Sequence, residues 1–208
     1  MPLTGEVPRR QPRSRGGAQE EASGRTRSRI LTAAEGAFVA RGFNATSLRE
    51  IAARAEMSHT GLLHHYPDKI ALLEALLDDR MKRAGDLWEV TDGQSFMRGL
   101  VDIARRDAAH PDHLRLVATL VGEAINPSHP AHGYFRDWHR SVEGHIKRAL
   151  DDLDAAGLFR GAGTTAQAAR HINSLREGAQ TQWLLSGGDF DLAEEVKSQL
   201  NLFVDLQI

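Results

Sequence analysis

The chain has 208 residues, 41% of them hydrophobic, with a formal net charge of −2. That is enough apolar content to bury the cores of one small domain and one larger one. It has no cysteine, which excludes disulfides, thiolate metal sites and cysteine nucleophiles, and it has no apolar run near the roughly 18 residues that span a bilayer, so no membrane partner is expected.

Residues 1–24 are rich in Pro, Gly, Ser and Arg and read as a disordered basic arm. Arg9, Arg10, Arg13 and Arg15 suit a minor-groove tracker, with a solvated tail as the plain alternative. Polar sequence follows Arg9-Arg10, so the pair is not an export signal.

A first helix carries the stripe Ile30, Leu31, Ala34, Ala37 and Phe38, preceded by Arg25, Arg27 and Arg29 and ended by Gly42. Ser47 and Glu50 have capping-box spacing, and Leu48, Ile51, Ala52 and Ala55 follow at helical intervals until Glu56-Met57. Ser58 caps the next helix, whose Leu62 and Tyr66 share an inward face. The opposite face carries Thr60, Gly61 and His64, flanked by His59 and Leu63. Pro67 closes that helix, and Asp68 caps a long one running from Lys69 through Ile70, Leu72, Leu73, Leu76 and Leu77. The unit Thr26 to Tyr66 is three helices laid out as a helix-turn-helix.

The register of Ile30, Leu31, Ala33, Ala34, Phe38, Gly42, Phe43, Thr46, Ser47, Ile51, Ala52, Ala55, Ser58, Leu62, His65 and Lys69 resembles the N-terminal pattern of the TetR family of bacterial transcriptional regulators. Two positions depart from it. Glu56 stands where a turn glycine is usual, so a side chain is expected at positive φ. Leu63 stands where a tyrosine is common on the DNA-facing side, exchanging a hydroxyl for an apolar contact such as one to a thymine methyl.

The resemblance implies an all-α fold of about nine helices, with a helix-turn-helix DNA-binding domain at 25–69 and a helical effector-binding and dimerisation domain at 70–208. In the head, Ser47 and Ser58 are expected to cap helices, and Thr46, Lys69 and His65 to hold phosphates. Arg49, His59, Thr60, Gly61, Leu63 and His64 are expected at base edges or in close groove approach. The charge divides accordingly. Met1 to Lys69 has 11 Lys+Arg against 7 Asp+Glu, and the remainder has 15 against 21, a basic end and an acidic body that avoids DNA.

In the body, punctuation at Asp92-Gly93, Pro111, Pro127 to Gly133, Gly161 to Gly163 and Gly187-Gly188 predicts helices at about 68–90, 95–109, 112–125, 132–156, 164–186 and 189–206. No strand alternation competes. The last two read as a helical hairpin, and the resemblance makes it a homodimer interface, with Ile172, Leu175, Ala179, Val196, Leu200 and Phe203 as candidates. Trp88, Phe96, Phe135, Trp138 and Trp183 could wall a pocket for a small-molecule effector, though core packing explains each equally well.

Other signals are weaker. Gly161 to Ala166 matches a loose dinucleotide fingerprint but lacks a preceding strand, so it reads as a link between helices. The pairs His110/His113 and His129/His132 flank prolines, and no cofactor or metal is expected. Asp151, Asp152 and Asp154 read as a solvated helix face. The reading is a repressor released from a near-palindromic operator by an effector, in the cytoplasm at the nucleoid, and not an enzyme. A small metal-dependent helical enzyme built on the histidine-rich middle and an effector-independent DNA-coating protein are the alternatives.

Overall fold

Nine α-helices account for the described residues: α1 Arg15–Ala45, α2 Leu48–Arg54, α3 His59–His65, α4 Lys69–Arg83, α5 Gly93–Ala109, α6 Pro111–Ala124, α7 His132–Ala155, α8 Thr165–Leu185 and α9 Leu192–Leu200. The structure is a computed structural model in which residues 15–83 and 92–205 are described. None of these helices is long and apolar enough to cross a membrane.

Two expectations change. The first helix begins at Arg15, so the arm assigned to 1–24 is helical over 15–24; Arg9, Arg10 and Arg13 lie outside the described residues. Gln19, Glu20, Glu21 and Ala22 are good helix formers. The turn around them is tied by Arg25 to Glu21 at 3.9 Å and by the Thr26 hydroxyl donating to the Ala22 carbonyl at 3.0 Å. At the other end, α9 stops at Leu200 rather than 206. Val204 instead forms an isolated antiparallel bridge with Phe159. The Arg160 and Asp205 N–H groups donate to the Phe203 and Leu158 carbonyls at 2.7 and 3.1 Å. Val204 thereby stays in the apolar row Leu192, Val196, Leu200 without another helical turn. The part of the fourth helix expected beyond Arg83 lies outside the described residues.

The apolar residues form two clusters. One joins Ile30, Ala34, Phe38, Ile51, Leu62, Leu72 and Leu73 to Leu116 and Leu120 of α6 and Phe135 of α7. The other packs Phe96, Met97 and Leu100 of α5 against Ile146, Leu150, Ile172, Val196 and Leu200. Trp138 packs against both. Helix α6 therefore belongs to the same core as the helix-turn-helix, and α1 lies along it.

Beside these clusters runs a buried polar row. The Arg176 side chain donates to Asn173 Oδ1 at 3.0 Å, and Gln180 on the same helix donates to Asp107 of α5 at 2.9 Å. Burial pulls the Arg176 guanidinium below its ordinary pKa, opposed by Glu177 and Asp107. On α7, His139 Nδ1 lies 3.0 Å from Glu177 of α8.

Gly161 to Ala166 is the entry to α8. Thr164 and Gln167 form a complete capping box there. Asp152, assigned to a solvated face, accepts the Gly93 N–H at 2.8 Å and so anchors the start of α5. Asp151 binds Lys147 and Thr165 at 2.6 and 2.5 Å.

Two expected outcomes follow from this packing. Glu56 has φ 51°, the single positive φ at a non-glycine residue among those described. Glu56→Gly should therefore stabilise the fold by about 1 kcal/mol or less, read as a higher urea midpoint. The hydrogen bond to Glu177 raises the His139 pKa above 6.5, so its stabilisation is full below 6.5 and is lost as pH rises through the folded value. His139→Gln should consequently cost more stability at pH 6 than at pH 8 in paired urea melts.

Candidate nucleic-acid interface

The helix-turn-helix is built by two serine caps. The Ser47 hydroxyl accepts the Glu50 N–H at 3.2 Å and the Ser58 hydroxyl accepts the Gly61 N–H at 3.0 Å. Each satisfies one of the unpaired amides at a helix start. Only half of the capping box expected at Ser47 forms. The Glu50 carboxylate turns away to Arg41 and Arg54 at 3.3 and 3.4 Å. Between α2 and α3, the Met57 N–H bonds to the Ala52 carbonyl at 3.0 Å, and the left-handed backbone at Glu56 makes the corner.

Leu62 is wholly buried and Tyr66 nearly so, which presses one side of α3 onto the core. Thr60, Leu63 and His64 then face outward, with His59, Gly61 and His65 half-exposed beside them, and Arg49 is exposed at the start of α2. A Cβ on Gly61 would come within 3.1 Å of Ser58 Oγ and 3.3 Å of Met57 Cε, so glycine keeps this part of α3 compact under its cap. Thr60, Leu63 and His64 thus share the outward side of α3. Leu63 is 36% exposed, a leucine offered to solvent where neighbouring positions are polar.

Thr46 and Lys69 are placed differently from the expectation. Thr46 is buried, and its hydroxyl donates to the Gly42 carbonyl at 2.7 Å. The Lys69 ammonium donates to the carbonyls of Phe43, Thr46 and Asn44 at 2.7, 2.9 and 3.4 Å and sits 4.2 Å from the centre of the Phe43 ring. Its three protons are used within the head, because Gly42, at φ 74°, breaks α1 and leaves carbonyls without helical partners. Desolvation lowers the Lys69 pKa, and the Glu123 charge opposes that. Both residues tie the end of α1 to the starts of α2 and α4.

From the body, Glu123 of α6 accepts the Phe43 N–H at 2.8 Å and the Asn44 N–H at 3.5 Å. His129 lies beside it, Nε2 at 3.7 Å, with its ring edge-on to Phe43 at 5.1 Å. Burial pulls the His129 pKa below 6.5, Glu123 pushes it up and Lys69 lowers it. Glu123 carried no local signal in the sequence, since its partners are main-chain amides about 80 residues away.

The described aromatics assigned to one pocket are divided between the two clusters. Trp88 lies outside the described residues. Phe96 is core, Phe135 belongs to the other cluster, and Trp183 donates from Nε1 to the Phe190 carbonyl at 2.9 Å, pinning the turn between α8 and α9. Phe135 and Trp138 meet edge to face at 6.3 Å.

The dimer candidates also divide. Ile172, Ala179, Val196 and Leu200 are buried in the chain's own core, and Phe203 is half-buried against it. Leu175 is exposed, and with Ser174, Gly178, Gln182, Glu195 and Gln199 it lines a groove of about 440 Å³ between α8 and α9. The i, i+4 periodicity of the original set found the inward face of the hairpin. The outward face carries smaller and more polar side chains that a hydrophobicity pattern passes over.

The histidine pairs serve local structure. His113 Nδ1 lies 2.8 Å from Glu35 on α1, His129 Nδ1 accepts the Ala131 N–H at 3.2 Å, and His132 Nδ1 lies 2.8 Å from the Ala124 carbonyl. Among the described residues no three histidines or carboxylates converge as a metal would require.

The chain is similar to known regulatory proteins, most strongly over its N-terminal part. The family model described as "Bacterial regulatory proteins, tetR family" matches residues 30–76. The HTH-type transcriptional regulator YvkB of Bacillus subtilis is 35% identical over 71 residues, 34% of this chain and 38% of that protein. The chain therefore matches little more than a third of that relative's length. NalD, the secondary repressor of the MexAB-OprM multidrug efflux pump in Pseudomonas aeruginosa, has a similar solved fold, with TM-score 0.70 and 19% identity over 88% of this chain and 98% of that one. The complex of SmeT with triclosan gives TM-score 0.71 at 16% identity, over 86% of this chain and 92% of that one. SmeT is the repressor of the SmeDEF efflux pump of Stenotrophomonas maltophilia. Residues 30–76 thus match the tetR family model, and the described residues share the fold of these solved structures.

Proposed function

We propose that the chain is a homodimeric DNA-binding repressor that grips a near-palindromic operator and is released by a small-molecule effector. The observation that carries the reading is the outward face of α3, where Thr60, Leu63 and His64 project while Leu62 and Tyr66 hold the helix down. Short polar and apolar side chains on a rigid helix suit base edges in the major groove, with Arg49 alongside. Ser47, Ser58 and Lys69 preorganise that face, and His65 is the remaining phosphate-side candidate.

Two copies related by a two-fold axis would present two such helices about one turn of DNA apart. The groove between α8 and α9, with Leu175 and Gly178 on its wall, supports a second copy docking there. A repressor of this kind works at the nucleoid in the cytoplasm. The SmeT complex with triclosan supports an effector of small-molecule size, and such a ligand acts only through different affinities for the bound and released states. The enzyme alternative is disfavoured because His113, His129, His132 and His139 are engaged in bonds that join helices and turns.

A palindrome selected in vitro with the full chain supplies the test. Arg49→Ala and His64→Ala should each lose about 1–3 kcal/mol of binding and relax base preference at one position per half-site. Binding should weaken steeply with salt as released counterions are restored. Unchanged affinity and preference in both variants would overturn the assigned face.

A further inference from the structure

We infer that Glu123 is a positioning residue that sets the angle of the DNA-reading head against the body; this rests on reading α2 and α3 as that head. Its carboxylate, on α6 of the body, grips the turn from which α2 starts through the Phe43 and Asn44 amides. The approach is close by construction. A Cβ on Gly42 would lie 2.4 Å from Glu123 Oε1, so the glycine that breaks α1 also admits the carboxylate.

The head side of this contact has no slack. The acceptor meets main-chain N–H groups, which cannot change rotamer, and the same turn is held from its carbonyl side by Lys69. His129, with a side chain 2% exposed, closes the site from the loop after α6 and packs on Phe43. At the opposite end of α6, His113 meets Glu35 of α1 at 2.8 Å. Helix α6 is thus fastened to α1 near both of its ends, so a shift of α6 carries the turn, Thr46 and the start of α2 with it. Buried packing of Leu116 and Leu120 under the head makes that motion a rigid displacement.

The test compares wild type, Glu123→Ala and Glu123→Gln as full-length chains on three duplexes: the selected palindrome, the palindrome with its spacing changed by one base pair, and a duplex with one half-site scrambled. For Glu123→Ala, palindrome affinity should fall about tenfold. The penalty for altered spacing should shrink, and the single half-site should be bound within about twofold of wild type. Glu123→Gln keeps the side chain's size and one acceptor oxygen, and should fall between the two. Equal losses on palindrome and half-site would mean that Glu123 only stabilises the head, and would overturn the inference. So would unchanged spacing preference in both variants. A wild-type chain that selects no DNA at all would instead overturn the reading of the head itself.

Discussion

The turn that follows α1 is the constraint on which the rest of the head depends. Gly42 takes a backbone conformation open to glycine and kinks α1 near its end, leaving the carbonyls of Phe43 and Thr46 to be met by a side-chain donor. Lys69 does this with a single ammonium that arrives from the start of α4, a cation at the negative end of a helix. Its charge-assisted bonds are stronger than neutral ones, and its cost of burial is lessened by the Phe43 ring beneath it and by Glu123 nearby. The entry to α2, the exit from α1 and the start of α4 are thereby joined at one point.

From that point the outward surface of α2 and α3 follows by capping and packing. Ser47 starts α2, the corner at Glu56 turns the chain, Ser58 starts α3, and Leu62 seats α3 on the core. Short helices of this kind have little stability of their own. Their orientation comes from what lies beneath them, which includes α6. The cluster under the head draws Leu116, Leu120 and Phe135 from the body, so head and body share a core.

The body has a different character. Its main cluster is apolar and fed by α5, α7, α8 and α9, while Arg176 with Asn173 and Gln180 with Asp107 add hydrogen bonds beside it. Such bonds are costly if broken and specific if intact. Opposed to it, His139 and His129 titrate in contrary directions, one held up by Glu177 and the other pulled down by burial. Trp138 is the side chain that touches both clusters.

Much of this was legible in the residues themselves. Serine caps, the 3.6-residue stripes and the breakers at Pro67, Pro111 and Gly187-Gly188 determined the helices and the outward set Thr60, Leu63 and His64, because each acts through neighbours within one or two turns. Glu56 at positive φ was readable for the same reason. Only tertiary structure decided that Lys69 and Thr46 are spent inside the head, that Ile172 and Val196 face the chain's own core, and that Phe96 and Phe135 lie in different clusters. Periodicity states that a helix has an apolar face without stating what covers it. A polar side chain's type states what it can bond without stating which distant carbonyl or amide will reach it first. Lys69 reaches back 26 residues and Glu123 reaches back 80, and the path between is set by packing.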